Sequence, residues 1–480
     1  MTTELLRTNS TNSTNTDVRP IDDRTFAQLR GQFRGTLLRP GEEGYDEARR
    51  IWSGAIDRRP ALIARCAGAD DVQRAVRFAV EQDLPLSVRG GGHSVVGHSV
   101  CDDGVMIDLS QLKAVSVDPS ARVARAAGGL VWSELDLATQ RFGLATTGGT
   151  ISHVGIGGLT LGGGFGHLMR QHGLTVDNLR AVDLVTADGS RQRIDGDREP
   201  ELFWGLRGGG GNFGIATAFE YDLHPVGPIV LGGPVYWPLE QAPEVLRALR
   251  EFAPDAPDEL GMMIVAHRAP PLPFLPPERY GTPVLGLLLV WSGDIAAGLR
   301  ATAPLRTIGT PLADVMRPVP YRAVQSMIDG SAPHGTHGYW RSHRIPELSD
   351  AVIERITALV ESATSPLSLL NGWAIGGAAS RVAADATSVG DRSVGFELRV
   401  IGVWPPGDPD GERHTAWVRE GWESLRPFSR GVYASFLTDE GPAGVRLAYG
   451  DRLDRLVALK DRLDPTNVFH LNANISPVGR

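Results

Sequence analysis

Apolar positions change period several times along the chain, and each change marks an element. Pro60–Arg65 is a short apolar run of strand length. After the pair Asp70-Asp71, apolar residues recur as Val72, Ala75, Val76, Ala79 and Val80. That spacing predicts one face of a helix, with the aspartates capping it. Leu84–Val88 reads as the next strand. Whatever follows residue 88 then sits at a strand's C-terminal end, where α/β sheets commonly bind ligands. Val105–Leu109 and Val115–Val117 read as further strands, and Trp132–Phe142 as a helix. Ala181–Thr186 and Arg191–Ile194 flank Ala187-Asp188-Gly189, which predicts a hairpin with an Asp-Gly turn.

Beyond Pro225 the pattern shifts. Val284–Trp291 and Phe396–Trp404 read as strands, and Ala242–Phe252 and Ala351–Glu361 as helices. A proline-rich stretch, residues 270–277, interrupts them. This predicts a second α+β domain carrying a sheet. Leu456–Leu463 is a last helix, and an Asn-rich segment closes the chain. At 480 residues the chain exceeds what one core usually serves, so two domains are expected.

Composition narrows the classes. A net charge of −8 argues against a nucleic-acid partner, which would want a basic face. No apolar run of membrane-spanning length occurs, so no membrane partner is expected. Residues 1–20 are polar and repetitive, and are expected to be a disordered tail without a secretory signal. The two cysteines, Cys66 and Cys101, are expected to be free thiols in a cytoplasmic protein. No Cys/His ligand spacing is present, so no metal site is expected.

The 58 glycines are well above the usual share of roughly 7%. They concentrate in two stretches. One is Arg89-Gly90-Gly91-Gly92-His93-Ser94-Val95-Val96-Gly97. The other runs Thr150-Ile151-Ser152-His153-Val154-Gly155-Ile156-Gly157-Gly158 and on to Gly162-Gly163-Gly164. Glycine is tolerated in such density where main chain must lie close to something. Successive backbone N–H groups make anion-binding concavities. Together these predict a cradle for a diphosphate and a flat ring system. Neither stretch is a nicotinamide-dinucleotide fingerprint.

At these residues the chain resembles the FAD-linked oxidases of the vanillyl-alcohol-oxidase type, and within them the berberine-bridge-enzyme-like group. R-G-G-G-H-S-x-x-G is similar to the family's flavinylation loop, and V-G-I-G-G-L-T-L-G-G-G-F-G to its diphosphate loop. Residues 173–178, 202–214 and Asp464–Ile475 carry further similarity. The resemblance implies an α+β, two-domain PCMH-type FAD-binding fold, with an α/β substrate domain built on an antiparallel sheet. It implies an FAD domain over residues 50–227, a substrate domain over 228–436, and a C-terminal return strand within 437–480.

The resemblance also implies roles. His93 bonds covalently to the 8α-methyl carbon of FAD. Where many members carry a second, cysteinyl anchor, this chain has Ile151, so a single attachment is expected. Arg89, Gly90, Gly91, Gly92, Ser94, Gly97, Thr150, Ser152, Val154, Gly155, Gly158, Gly163, Asp177, Gly214, Ile215, Asn472 and Asn474 are expected to hold the cofactor. Tyr449, its pKa lowered, is the expected proton acceptor. Glu397 and Arg399 alternate onto one strand face and meet substrate or line a solvated face. Tyr339-Trp340-Arg341 is an aromatic wall or core packing, and Arg207 serves local structure. Val154 stands where plant relatives gate O2. The implied activity is two-electron oxidation of a CH–OH group in an alcohol, sugar or secondary metabolite, with O2 as acceptor. A dehydrogenase using another acceptor, and a flavin-carrying protein that sequesters its ligand, stand as alternatives. The oligomeric state is left open.

Overall fold

The computed structural model describes residues 21–479; the tail expected over residues 1–20 lies outside them. Leu62–Arg65, Val105–Asp108 and Leu86–Arg89 form a small parallel sheet, with Thr36–Leu38 antiparallel at its edge. Helix Ala69–Glu81 crosses between the first and last of the parallel strands and buries Val72, Ala75, Val76 and Ala79. Val80 departs from expectation: it lies at the edge of the apolar stripe and is 46% exposed. The aspartates depart too. Gly68 is the N-cap, and Asp71 instead accepts from the amides of Arg34, Gly35 and Ala67, pinning the preceding chain to the helix.

A five-stranded antiparallel sheet follows, in the order Val115–Asp118, Val123–Ala127, Ile215–Asp222, Leu179–Val185, Arg191–Asp195. The expected hairpin is there. Gly189 sits at φ +72°, the conformation that glycine tolerates best, and Val185 pairs with Arg191.

The remaining large sheet is antiparallel throughout. Its order is Ala313–Asp314, Ile229–Pro238, Pro283–Trp291, Leu260–Arg268, Leu369–Ile375, Gly395–Trp404, His337–Ile345. Side chains alternate along each strand, so one face must be covered. Leu398 and Val400 enter a core shared with Val245 and Leu249 of helix Ala242–Phe252, Ile353 and Ile356 of Asp350–Glu361, and Trp417 of Gly411–Leu425. Arg399, Ile401 and Val403 face the other way, toward the glycine-rich stretches. This is the expected two-domain α+β architecture.

The C-terminal segment returns to the side of the chain that carries Asn212, but not as a strand. After helix Leu453–Leu463 the described chain has no regular element. Side chains hold it instead. Lys460 is fully buried, and its Nζ donates to Asp464 Oδ2 (2.7 Å) and to the carbonyls of Asn212 (2.8 Å) and Phe469 (2.9 Å). Asp464 in turn accepts from the amides of Val468 and Phe469. A buried ion pair stabilises only when its remaining hydrogen-bonding capacity is met, and this one's largely is. Asn212 completes the lock, donating to the Ala473 carbonyl and accepting from the Ile475 amide.

Candidate active site

A cavity of about 430 Å³ lies between the glycine-rich stretches and the uncovered face of the large sheet. Of the residues singled out in the sequence, Gly90, Gly91, Gly92, His93, Ser94, Thr150, Val154, Gly155, Gly158, Gly214, Ile215, Asn472, Tyr449 and Arg399 line it. Ile151 lines it as well. Cys66 and Cys101 are free, buried and absent from its walls.

Strand Leu86–Arg89 delivers His93 into the cavity. Arg89 itself does not line it; Nη1 donates to the Ala48 carbonyl at 2.6 Å. Gly97 also stands behind the wall, where Arg58 grips its carbonyl. The His93 ring stacks on Trp52 (5.3 Å between centroids, 23° between planes) and bonds through Nε2 to His153 Nδ1 at 2.6 Å. Trp52 is held in turn by its Nε1 bond to the Ala332 carbonyl. Burial above all, with His153 and His334 alongside, pulls the His93 pKa down to about 3. The ring is therefore neutral at working pH, which is what a nitrogen nucleophile requires.

His93, His153 and His334 bring ring nitrogens within 4.8 Å of one another. Sequence spacing gave no sign of this cluster, because three separate loops supply it. The 2.6 Å contact is that of a shared proton; ligands on one tetrahedral zinc stand about 3.3 Å apart.

The loop main chain fits FAD. A Cβ on Gly91 would lie 2.3 Å from the Gly155 nitrogen, and one on Gly155 equally close to Gly91, so neither position admits a side chain. Gly158 and Gly211 instead face open space, presenting bare backbone to the cavity. Gly157 and Gly158 fall in the first turn of Ile156–Gly162, where amides lack intrahelical partners. Asn472 brings a buried, unpartnered Oδ1.

Several expected cofactor residues serve the frame rather than the wall. Asp177 is bound by both terminal nitrogens of Arg392 (2.8–2.9 Å) and caps the Leu174 amide. Ser152 bonds Asp329 through its amide and hydroxyl, tying the diphosphate-type loop to the segment that carries His334. Gly163, at φ +127°, packs on Val389 and Tyr433. Asn474 donates to the Ser476 hydroxyl. Arg207 stacks on Phe203 and bonds the Ala386 carbonyl, the local role expected of it.

On the sheet side, the stretch Tyr339-Trp340-Arg341 divides by alternation. Trp340 lines the cavity, while Tyr339 and Arg341 bond Asp439. Glu397 is fully buried behind the wall, 3.8 Å from Arg344, and burial raises its pKa to about 7. Tyr449 lines the cavity and is 1% exposed, with its hydroxyl 3.5 Å from the Gly208 carbonyl. Burial pushes its phenol up, against the expected lowering. Tyr433, which sequence reasoning passed over, lines the cavity too. Its hydroxyl accepts from the Gly164 amide at 2.8 Å, and its phenol is raised by burial, with Arg399 and hydrogen bonds pulling the other way. Its only signal in the sequence was an aromatic residue in a segment without clear periodicity.

Comparison with known proteins agrees with this geometry. Residues 60–195 match the FAD binding domain family, and residues 438–476 the berberine and berberine-like family. The chain is 32% identical to an FAD-linked oxidoreductase of Dictyostelium discoideum over 93% of this chain and 95% of that one. It is 30% identical to (R)-6-hydroxynicotine oxidase of Paenarthrobacter nicotinovorans over 93% and 98%. The crystal structure of 6-hydroxy-D-nicotine oxidase from Arthrobacter nicotinovorans superposes with a TM-score of 0.83 at 27% identity, covering 92% of this chain and 98% of that one. The chain belongs to the berberine-bridge-like family of FAD-linked oxidoreductases.

Proposed function

We propose that this FAD-dependent oxidoreductase is an oxidase, carrying its flavin on His93 through one covalent bond and oxidising a CH–OH group of a small alcohol, sugar or secondary metabolite. The observation that carries the proposal is His93 on the cavity wall, stacked on Trp52 and bonded to His153, in a cavity that Arg399 and the phenols of Tyr449 and Tyr433 also line. Bound FAD supplies the two-electron acceptor. The glycine loops hold it, together with Ser94, Thr150, Ile215 and Asn472, while Arg89, Gly97, Ser152, Gly163, Asp177 and Asn474 support those loops from behind. Ile151 offers no sulfur for a second bond. A phenol, Tyr449 or Tyr433, meets the substrate's hydroxyl and takes its proton in the ionised form, which burial opposes at both and which the Gly164 amide and Arg399 favour at Tyr433; Arg399 orients the substrate, and Glu397 sets the field around it.

Dioxygen as acceptor, reduced to H2O2, is supported by the small Val154 side chain in the cavity wall and by a relative named as an oxidase. Sheet membership supports dividing the chain near residues 227 and 436. The two unpaired, buried thiols fit the reducing cytoplasm. No described helix is long and apolar enough to cross a membrane.

The test is anaerobic addition of a panel of alcohols and sugars to the purified protein. The oxidised flavin band should bleach with a substrate, then return with stoichiometric peroxide when O2 is admitted. Bleaching that O2 reverses slowly and without peroxide would assign a dehydrogenase. A panel that binds without bleaching would assign a sequestering role.

A further inference from the structure

The sheet wall of the cavity has an imbalance of charge and of hydrogen-bond donors. Arg399 lines the cavity with its guanidinium over the Trp373 ring (4.2 Å to the centroid) and the Phe436 ring (4.7 Å). Stacking on two rings fixes the plane of the cation, as guanidinium chemistry allows and an ammonium would not. No carboxylate comes within ion-pair distance of it among the described residues, and its Nε is buried without a partner. The titratable groups nearest to it are Glu397, whose own ion-pair partner is Arg344, and the Tyr433 phenol. Two guanidiniums therefore face one carboxylate, and burial raises that carboxylate's pKa, which weakens its hold on either cation. Arg399 stays cationic at neutral pH although burial lowers its pKa to about 9.

The unpartnered polar atoms around the cation point the same way. Trp340 and Trp373 each bury an indole N–H that meets no acceptor, and both line the cavity. Indole and guanidinium only donate. Against these donors the wall offers one unpartnered acceptor that lines the cavity, Asn371 Oδ1. Leaving buried donors unmet is costly, so the ligand that completes the wall is acceptor-rich. The flanking rings of Trp340, Trp373 and Phe436 favour a flat body on it.

Resting on the flavoenzyme assignment, which gives the glycine wall to FAD and leaves the sheet wall to substrate, we propose that Arg399 forms an anion subsite. It selects substrates whose flat ring carries an anionic oxygen, such as a carboxylate or an ionised phenol.

The probes are 2-naphthoate and its neutral isostere 2-naphthamide, titrated into the FAD-loaded protein and followed by perturbation of the flavin absorption band. The wild type should bind the carboxylate at least roughly tenfold more tightly, the scale of a charge-assisted hydrogen bond. Arg399→Gln should abolish that preference, and Arg399→Lys should keep part of it. Equal affinities in the wild type, or a preference that survives in Arg399→Gln, would overturn the anion subsite. Flavin absorbance in every variant reports whether the fold and cofactor remain. A wild type that takes up no FAD would instead strike the assignment on which the subsite rests.

Discussion

His93 Nε2 lies 2.6 Å from Nδ1 of His153, so the two rings share one proton. Engaging Nε2 leaves Nδ1 of His93 to form the proposed bond to FAD, and gives the departing imidazole proton a place to go. The balance would be completed by loss of one 8α-methyl proton, the electron pair of that C–H bond staying on the flavin until O2, the proposed acceptor, takes it. After acid precipitation, flavin should stay with the wild-type chain and leave His93→Ala. Peptide mapping should find flavin on the His93 peptide and on no cysteine. His153→Gln should slow covalent incorporation of FAD into apoprotein by on the order of 10²-fold, the scale of proton-transfer catalysis, without abolishing non-covalent binding. Unchanged incorporation would leave His153 a packing residue.

Two phenols compete for the role of proton acceptor. Tyr449→Phe was the expectation from sequence, with an expected loss in flavin reduction rate of on the order of 10²-fold and intact FAD content. Tyr433 accepts from the Gly164 amide of the diphosphate-type loop and has Arg399 favouring its ionised form, whereas the Tyr449 hydroxyl meets the Gly208 carbonyl and burial opposes its ionisation. Tyr433→Phe should therefore cost more than Tyr449→Phe in stopped-flow reduction. The reverse order would return the role to Tyr449.

Val154 stands on the cavity wall, and its carbonyl accepts from the Trp132 amide, so its position is fixed. One added methylene is felt in a close-packed interior. Val154→Leu should slow reoxidation of the reduced enzyme by O2 while leaving anaerobic reduction near the wild-type rate. Equal reoxidation rates would show that Val154 is no gate.

Asp136 gives a prediction in pH. It is buried, its Oδ2 meets the Gln325 amide at 3.3 Å, and burial raises its pKa from 3.8 to about 7. A carboxyl raised in the folded state is a stabilising influence below its unfolded pKa that is lost as pH rises through the folded one. Wild-type stability should thus fall relative to Asp136→Asn between about pH 4 and 7, at up to about 1.4 kcal/mol per pH unit. Denaturation midpoints of the two proteins at pH 5 and pH 8 check this. A difference that does not change with pH would mean that Asp136 is ionised in the fold.

The sequence by itself determined the local elements and the chemistry of the loops. Hydrophobic period gave helix Ala69–Glu81 and the alternation that puts Arg399 and Leu398 on opposite faces. Glycine density gave the two loops whose bare backbone lies close to something, though not that Gly91 and Gly155 would lie against each other. These are short-range properties, fixed by neighbours in the chain. Tertiary structure decided what depends on distant neighbours. It set His153 and His334 beside His93, gave Asp177 to Arg392 instead of the cavity, and placed Tyr433 on the wall. It also replaced the expected C-terminal strand with the Lys460–Asp464 lock. Burial and partner charges, which set each pKa here, arise only when segments hundreds of residues apart are brought into contact.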